Sequence, residues 1–183
     1  MSEKMNLYGD NIILRAITQE DSILLFNMIN DPDLERMLGG SSYPVSMEKQ
    51  VEWIQSQEEK NNILRCIIAK KESEKQGVGT IILSDINRKN GTAQVHIKMD
   101  KVLGQRKGYG TDALKTIVHY AFNEMRLNCI YADVLEYNVP SQKLFEKCSF
   151  SKDGVLRSRI YKNGEYQNII SYSLLKKDVS YAE

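Results

Sequence analysis

Alternating and helically spaced apolar positions divide the chain into segments before any chemistry is considered. "NIILRAI" reads as a first strand, and Thr18 with Asp21 has the spacing of a reciprocal cap for a helix in "EDSILLFNMIN". Leu24, Leu25, Met28 and Ile29 then share one face. Asp31 before Pro32 predicts a short second helix, and Ser46 caps a third through "MEKQVEWIQSQEE". Three β-rich runs follow, "ILRCIIAK", "GVGTIILSDIN" and "TAQVHIKMD", set apart by the polar turns "KESEKQ" and "RKNG" in the manner of an antiparallel meander. Between Thr111 and Met125, Leu114, Ile117, Val118, Ala121, Phe122 and Met125 recur at helical spacing and form an amphipathic stripe. "CIYADVLEY" gives another strand, and Asn138 with Pro140 opens a helix through "SQKLFEKC". The Asn-Gly of "KNG" joins "VLRSRIY" to "EYQNIISYSLL" as a hairpin.

The predicted order is strand, helices, three strands, helix, strand, helix, hairpin, with no repeat or linker, and 183 residues suit a single α/β (α+β) domain with a real core. A formal charge of +1 lacks the global basic excess expected of a nucleic-acid binder, so an anionic ligand must be met by a local site. Cys66, Cys129 and Cys148 are odd in number and far apart, which fits neither a disulfide framework nor a metal knuckle; no metal is expected. The opening "MSEKMNLYGDN" lacks the apolar core of a signal peptide, and "ILLF" is too short to cross a bilayer. A cytoplasmic location is expected.

Chemistry concentrates in "GQRKGYGTDAL". Gly108 and Gly110 stand at the mouth of the amphipathic helix, where the first amides lack internal partners and lie at the positive end of the dipole. Gln105, Arg106 and Lys107 add donors and charge for a phosphate. Two glycines opening a helix are the plainer alternative. A dinucleotide fingerprint needs a βαβ unit rather than a meander, and no Lys-Ser/Thr follows Gly110 as a Walker loop requires.

Joined to "NVPSQKLFEKCSF" one strand and one helix downstream, the pattern Gln105-x-x-Gly108-x-Gly110 resembles the acetyl-CoA-binding half of the GNAT superfamily of N-acetyltransferases. The likeness is greatest to the branch of ribosomal-protein N-terminal and spermidine N-acetyltransferases. It implies a mixed, mostly antiparallel twisted sheet flanked by helices, with its central strands splayed. Residues 1–62 would form the acceptor side, 63–150 the acetyl-CoA core, and 151–183 a hairpin and tail. It also implies acetyl-CoA as cosubstrate, held by the amides of Gln105, Arg106, Lys107, Gly108, Tyr109, Gly110 and Thr111, by the strand edge at Ile97, Lys98 and Met99, and by Asn138, Ser141 and Phe145. A backbone amide near Lys98 or Met99 would stabilise the oxyanion. The acceptor would be a primary amine of a small molecule, such as a polyamine or amino sugar, or of a protein N-terminus. It would attack directly through a tetrahedral intermediate, without nucleic acid, membrane or metal, and a homodimer is left open.

A lysine-like amine has a pKa near ~10.4 and must lose a proton before attack, while the departing thiolate benefits from gaining one. The sequence departs from its relatives at both places: Phe145 stands where many carry the tyrosine acid, and Gln94 where many carry a glutamate. Ser149 replaces a common glycine before Phe150. His96, on the strand parity of Gln94 and Lys98, is the substitute base, and Glu136 is a second candidate acting through water. Each has a structural alternative, a bonded strand histidine and a capping or surface carboxylate. Tyr131 and Tyr137 are weaker acids in the running, and His119 reads as structural. Cys148 lies late in a helix, away from the end that would activate it, which argues against an acetyl-enzyme. Asp31, Asp33 and Glu35 offer charge for a basic acceptor, or a solvated helix face; Tyr43, Trp53 and Tyr161 offer pocket aromatics, or ordinary packing. The rival to an enzyme is a weakly active acetyl-CoA-binding sensor or interaction domain, motivated by Phe145 and Gln94.

Overall fold

The computed structural model describes residues 5–40, 43–56, 62–105 and 107–179. The apolar alternation builds one twisted sheet, in the order β1-β2-β3-β4-β5-β6-β8-β7. Its strands are β1 (Leu7–Tyr8), β2 (Ile12–Arg15), β3 (Leu64–Lys70), β4 (Ser73–Asn87), β5 (Thr92–Met99), β6 (Cys129–Leu135), β7 (Ser151–Lys162) and β8 (Glu165–Leu175). Helices α1 (Ser22–Ile29), α2 (Pro32–Arg36) and α3 (Met47–Gln55) precede β3, α4 (Tyr109–Asn123) joins β5 to β6, and α5 (Val139–Lys147) joins β6 to β7. All pairings are antiparallel except β5 with β6.

β3 shows why the sheet carries a layer on each face. Cys66 and Ile68 join the larger core under the α4 stripe of Leu114, Ile117, Ala121 and Phe122. Ile67 and Ala69, on the opposite parity, form a second cluster with Leu25 of α1 and Ile54 of α3. The entrance to α1 is fixed by Asp21, which accepts from the Thr18 amide at 2.8 Å and takes both guanidinium nitrogens of Arg15 at 2.7 and 2.8 Å.

Several boundaries differ from the sequence reading. Leu7–Tyr8 adds an edge strand that two residues of pattern could not announce. The predicted turn "KESEKQ" is largely strand, since Lys70 already pairs with Ser73 and only Lys71 and Glu72 turn. The third helix ends at Gln55, and the last residues of its predicted run lie outside those described. "CIYADVLEY" stops at Leu135, which puts Glu136 and Tyr137 in the turn before α5. The hairpin turn has Asn163 and Gly164 at φ 54° and 88°, the left-handed pair that the Asn-Gly dipeptide predicts.

Candidate active site

The central strands part where the parallel ladder ends. β5 and β6 pair only from Thr92 to Gln94 against Cys129 to Tyr131, whereas β5 continues along β4 to Met99 and β6 continues along β8 to Leu135. Beyond Gln94 the β6-facing edge of β5 therefore has no strand partner. A cleft of about 780 Å³ occupies the gap, bounded by α1, the α2–α3 connection and α3 on one side and by Asn138, Ser141 and Phe145 on the other.

The glycine turn lies beside this cleft. Asp100 ties it down, accepting the amides of Val102 and Leu103 on its side chain and those of Gly104 and Gln105 on its carbonyl. Gly104 is required by packing, because a Cβ would sit 2.3 Å from the Val78 carbonyl oxygen. Gly108 is the N-cap of α4 at φ 80°, a backbone that L side chains adopt only under strain. A Cβ on Gly110 would meet Ile97, Met99 and Leu144 only at ordinary contact distances, and one on Gly108 would meet nothing. Among the described residues, therefore, nothing fills the space beside Gly108 and no side chain caps the first α4 amides. Ile97 connects the regions, lining the cleft and touching the Gly110 position. Arg106 falls outside the described residues.

Gln94, His96 and Lys98 line the cleft together, as their shared parity requires. The His96 Nε2 lies 2.8 Å from the Ser84 hydroxyl, which in turn lies 3.5 Å from Asp85. Although the ring is accessible from the cleft, surrounding protein lowers its pKa below the ordinary histidine value, against the opposing charges of Asp85 and Asp133. Burial likewise lowers the Lys98 pKa, with Glu35 opposing.

Glu136 is placed differently: its carboxylate accepts from Asn168 of β8 at 2.8 Å, and it does not line the cleft. The carboxylate that does is Asp133, bonded by the Gln94 amide at 3.3 Å. Sequence reasoning passed over Asp133, although a charge between Ala132 and Val134 in a central strand was the available signal. Tyr137 donates to the Arg36 carbonyl at 2.5 Å, and burial followed by Glu35 raises its pKa. Tyr131 is also raised, first by burial and then by Asp85 and Asp133.

Asn138 works at both ends, capping α5 through the Ser141 amide and donating to the Met37 carbonyl at 2.8 Å. Phe145 is only 3% exposed, stacked with Tyr172 and edge-on to Phe150. Cys148 is buried, and burial raises its thiol pKa, which disfavours a nucleophilic thiolate. His119 is exposed, off the buried stripe of α4.

Of the aromatics considered for an acceptor pocket, Trp53 lines the cleft, whereas Tyr43 and Tyr161 are 81% and 61% exposed elsewhere. The expected acids are engaged in structure. Asp31 caps α2, Asp33 pairs with Lys101 and Arg36, and Glu35 pairs with the buried Lys162 at 2.5 Å. Lys162 also donates to the Gly40 carbonyl at 2.6 Å, fastening the α2–α3 connection to the hairpin. Among the described residues no cluster of His, Cys, Asp and Glu could hold a metal ion, and no helix is long and apolar enough to cross a membrane.

This architecture has close counterparts. A spermidine N-acetyltransferase from Vibrio cholerae, solved in complex with CoA and spermine, has a TM-score of 0.83 at 23% identity, covering 92% of this chain and 97% of that one. In sequence, the chain is 29% identical over 170 residues to the SPbeta prophage-derived uncharacterized N-acetyltransferase YokL of Bacillus subtilis, covering 93% of both. It is 26% identical over 163 residues to the spermidine N(1)-acetyltransferase of Escherichia coli K12, covering 87% of this chain and 83% of that one. Residues 11–151 match the family described as acetyltransferase (GNAT) domain, and the chain belongs to that family of acetyl-transferring enzymes.

Proposed function

We propose that the protein transfers an acetyl group from acetyl-CoA to a primary amine by direct attack within the gap between β5 and β6. The observation that carries this reading is the cleft itself. It runs from the helical side to Ile97, whose side chain adjoins the Gly110 position at the start of α4, and His96 faces it. The open turn at Gly108 and Gly110 fits the pyrophosphate, with Gln105, Lys107, Tyr109 and Thr111 around it, and Arg106 belongs to the same sequence motif. The unpaired edge of Ile97, Lys98 and Met99 suits the pantetheine arm, and Ser141 and Phe145 bound its passage. Acetyl-CoA supplies an activated thioester.

Neutral His96 accepts a proton from the ammonium, leaving the amine lone pair for the carbonyl carbon. The C–N bond forms, the C–S bond breaks, and the proton released from nitrogen is available to the departing thiolate. Backbone amides at the β5 edge stabilise the oxyanion, so electrostatic assistance does not depend on Phe145. Asp133, facing the same opening, attracts the incoming ammonium.

The test combines thermal protection by acetyl-CoA with thiol release in pools of spermidine, amino sugars, aminoglycosides and short peptides with free N-termini. Protection with release in one pool supports the proposal. Protection without release in any pool favours the sensor reading, and absence of protection contradicts both.

A further inference from the structure

Which amine the cleft accepts is written in its charges, and this inference rests on the acetyl-transfer reading above. Polyamines carry several cations and need carboxylates to receive them. The three acids of α2 and its cap are already committed to a helix end, to Lys101 and Arg36, and to Lys162. The cleft wall facing the sheet is mainly apolar, formed by residues such as Ile17, Leu25, Met28, Leu38 and Trp53. Its formally charged lining residues are Lys49, Arg65, Lys98 and Asp133. Lys49 is largely exposed and paired with Glu52 at 3.6 Å.

The Lys98 ammonium makes no hydrogen bond or ion pair with a described residue, and Lys98 lies two residues from His96, at the reacting end of the cleft. Arg65 stands at the other end. It is half-buried and lines the cleft, and its guanidinium makes no hydrogen bond or ion pair with any described residue. A half-buried guanidinium without a carboxylate is favoured when a ligand supplies one, and its fork matches a carboxylate in two places. The register sets its distance from the reaction. Arg65 pairs with Ile82 and Ile82 with His96, so the three form one row across β3, β4 and β5. Two strand spacings, about 10 Å, separate the backbones of Arg65 and His96. The side chains lining the intervening row and the opposite wall are apolar at Ile82, Ile17 and Leu25. At the other end of the row lie His96 and, across the gap, Asp133. The charges are therefore divided along the cleft: Asp133 and Lys98 stand beside the base, a guanidinium with no partner among the described residues lies two strands away, and the row between them carries Ile82.

We propose that the acceptor is an apolar molecule with one primary amine and a carboxylate, of the size of a short apolar peptide, with Arg65 as the residue that selects the carboxylate. The amine lies toward His96 and Asp133, and the carboxylate toward Arg65. An extended dipeptide spans on the order of 7 Å, which an arginine side chain completes. A polyamine places a second cation against Arg65 and is rejected.

The experiment measures kcat/KM for thiol release at saturating acetyl-CoA with leucyl-leucine, its C-terminal amide leucyl-leucinamide, and spermidine, while acetyl-CoA affinity is titrated in parallel. Leucyl-leucine is expected to exceed both the amide and spermidine by about 10-fold, a factor corresponding to one charged contact. Arg65→Gln should bring the two peptides within about twofold of each other, and Arg65→Lys should restore part of the preference. Equal rates for acid and amide, a preference for spermidine, or a preference untouched in folded Arg65→Gln would each overturn the assignment. So would bound acetyl-CoA with no turnover of any of the three, which leaves the coenzyme site standing. Failure to bind acetyl-CoA would instead overturn the acetyl-transfer reading on which the assignment depends.

Discussion

The two sides of the cleft are built by different means. The side proposed for the coenzyme is local: a turn tied by Asp100, a left-handed Gly108, and the amides of one helix, all within a dozen consecutive residues. The side proposed for the acceptor is assembled from segments far apart in sequence, with Glu35 meeting Lys162, Met37 meeting Asn138, and Arg65 aligned with His96 through β4. Backbone donors can bind a phosphate whatever side chains surround them, so one side keeps a recognisable motif. A constellation drawn from distant segments carries no such local pattern, so the other does not.

The largest expected effect lies where the two sides meet. His96→Gln should lower kcat by about 1000-fold, within the range of lost general-base catalysis. His96 accepts a proton only when neutral, and its pKa lies below the ordinary value. Wild-type kcat should therefore hold near its plateau at neutral pH and fall as pH drops below about 6.5; the variant should lack that limb. A full-rate variant with the parental pH profile would leave His96 a structural histidine bonded to Ser84.

Lys162→Met tests the acceptor side alone. It leaves Glu35 without its buried cation and frees the Gly40 carbonyl, at a cost of about 3 kcal/mol in urea unfolding. In the folded fraction, KM for the amine should rise while acetyl-CoA affinity stays within about twofold. Loss of coenzyme affinity would show that the two sides are not separable.

Gly108→Trp addresses the coenzyme side. No described residue lies within 4 Å of a Cβ placed on Gly108, so the fold should tolerate the ring at the expense of backbone strain, while acetyl-CoA affinity falls by about 100-fold or 2.7 kcal/mol. A folded variant with unchanged affinity would remove the turn from the binding site.

The smallest effect concerns Ser149, which follows α5 at φ 66° in the left-handed region where helices usually end on glycine. Ser149→Gly should add about 0.5 kcal/mol of stability by thermal unfolding without changing kcat. A lower melting temperature would mean that the serine makes a compensating contact.

What was legible in the sequence follows the same division. The stripe of Leu114, Ile117, Ala121 and Phe122 announced α4, and Asn163-Gly164 announced the hairpin, because each signal is local and repeats at the period of its element. The reciprocal Thr18 and Asp21 cap was legible for the same reason, but the Arg15 pair that buries Asp21 was not. At the cleft, the shared wall of Gln94, His96 and Lys98 could be read from parity. Glu136 was drawn into consideration by assuming that β6 continued; its strand ends at Leu135 and the carboxylate turns to Asn168. Asp133 and Arg65 acquire meaning only through register across β5, β6 and β3, which no local pattern encodes.

If the glycine turn holds the coenzyme and the helical side stands apart, amide hydrogen exchange with and without saturating acetyl-CoA will separate them. Exchange should slow at Gly108 to Thr111 and along Ile97 to Met99, with little change in α2. Unchanged exchange at Gly108 to Thr111 under saturation would contradict that placement of the coenzyme.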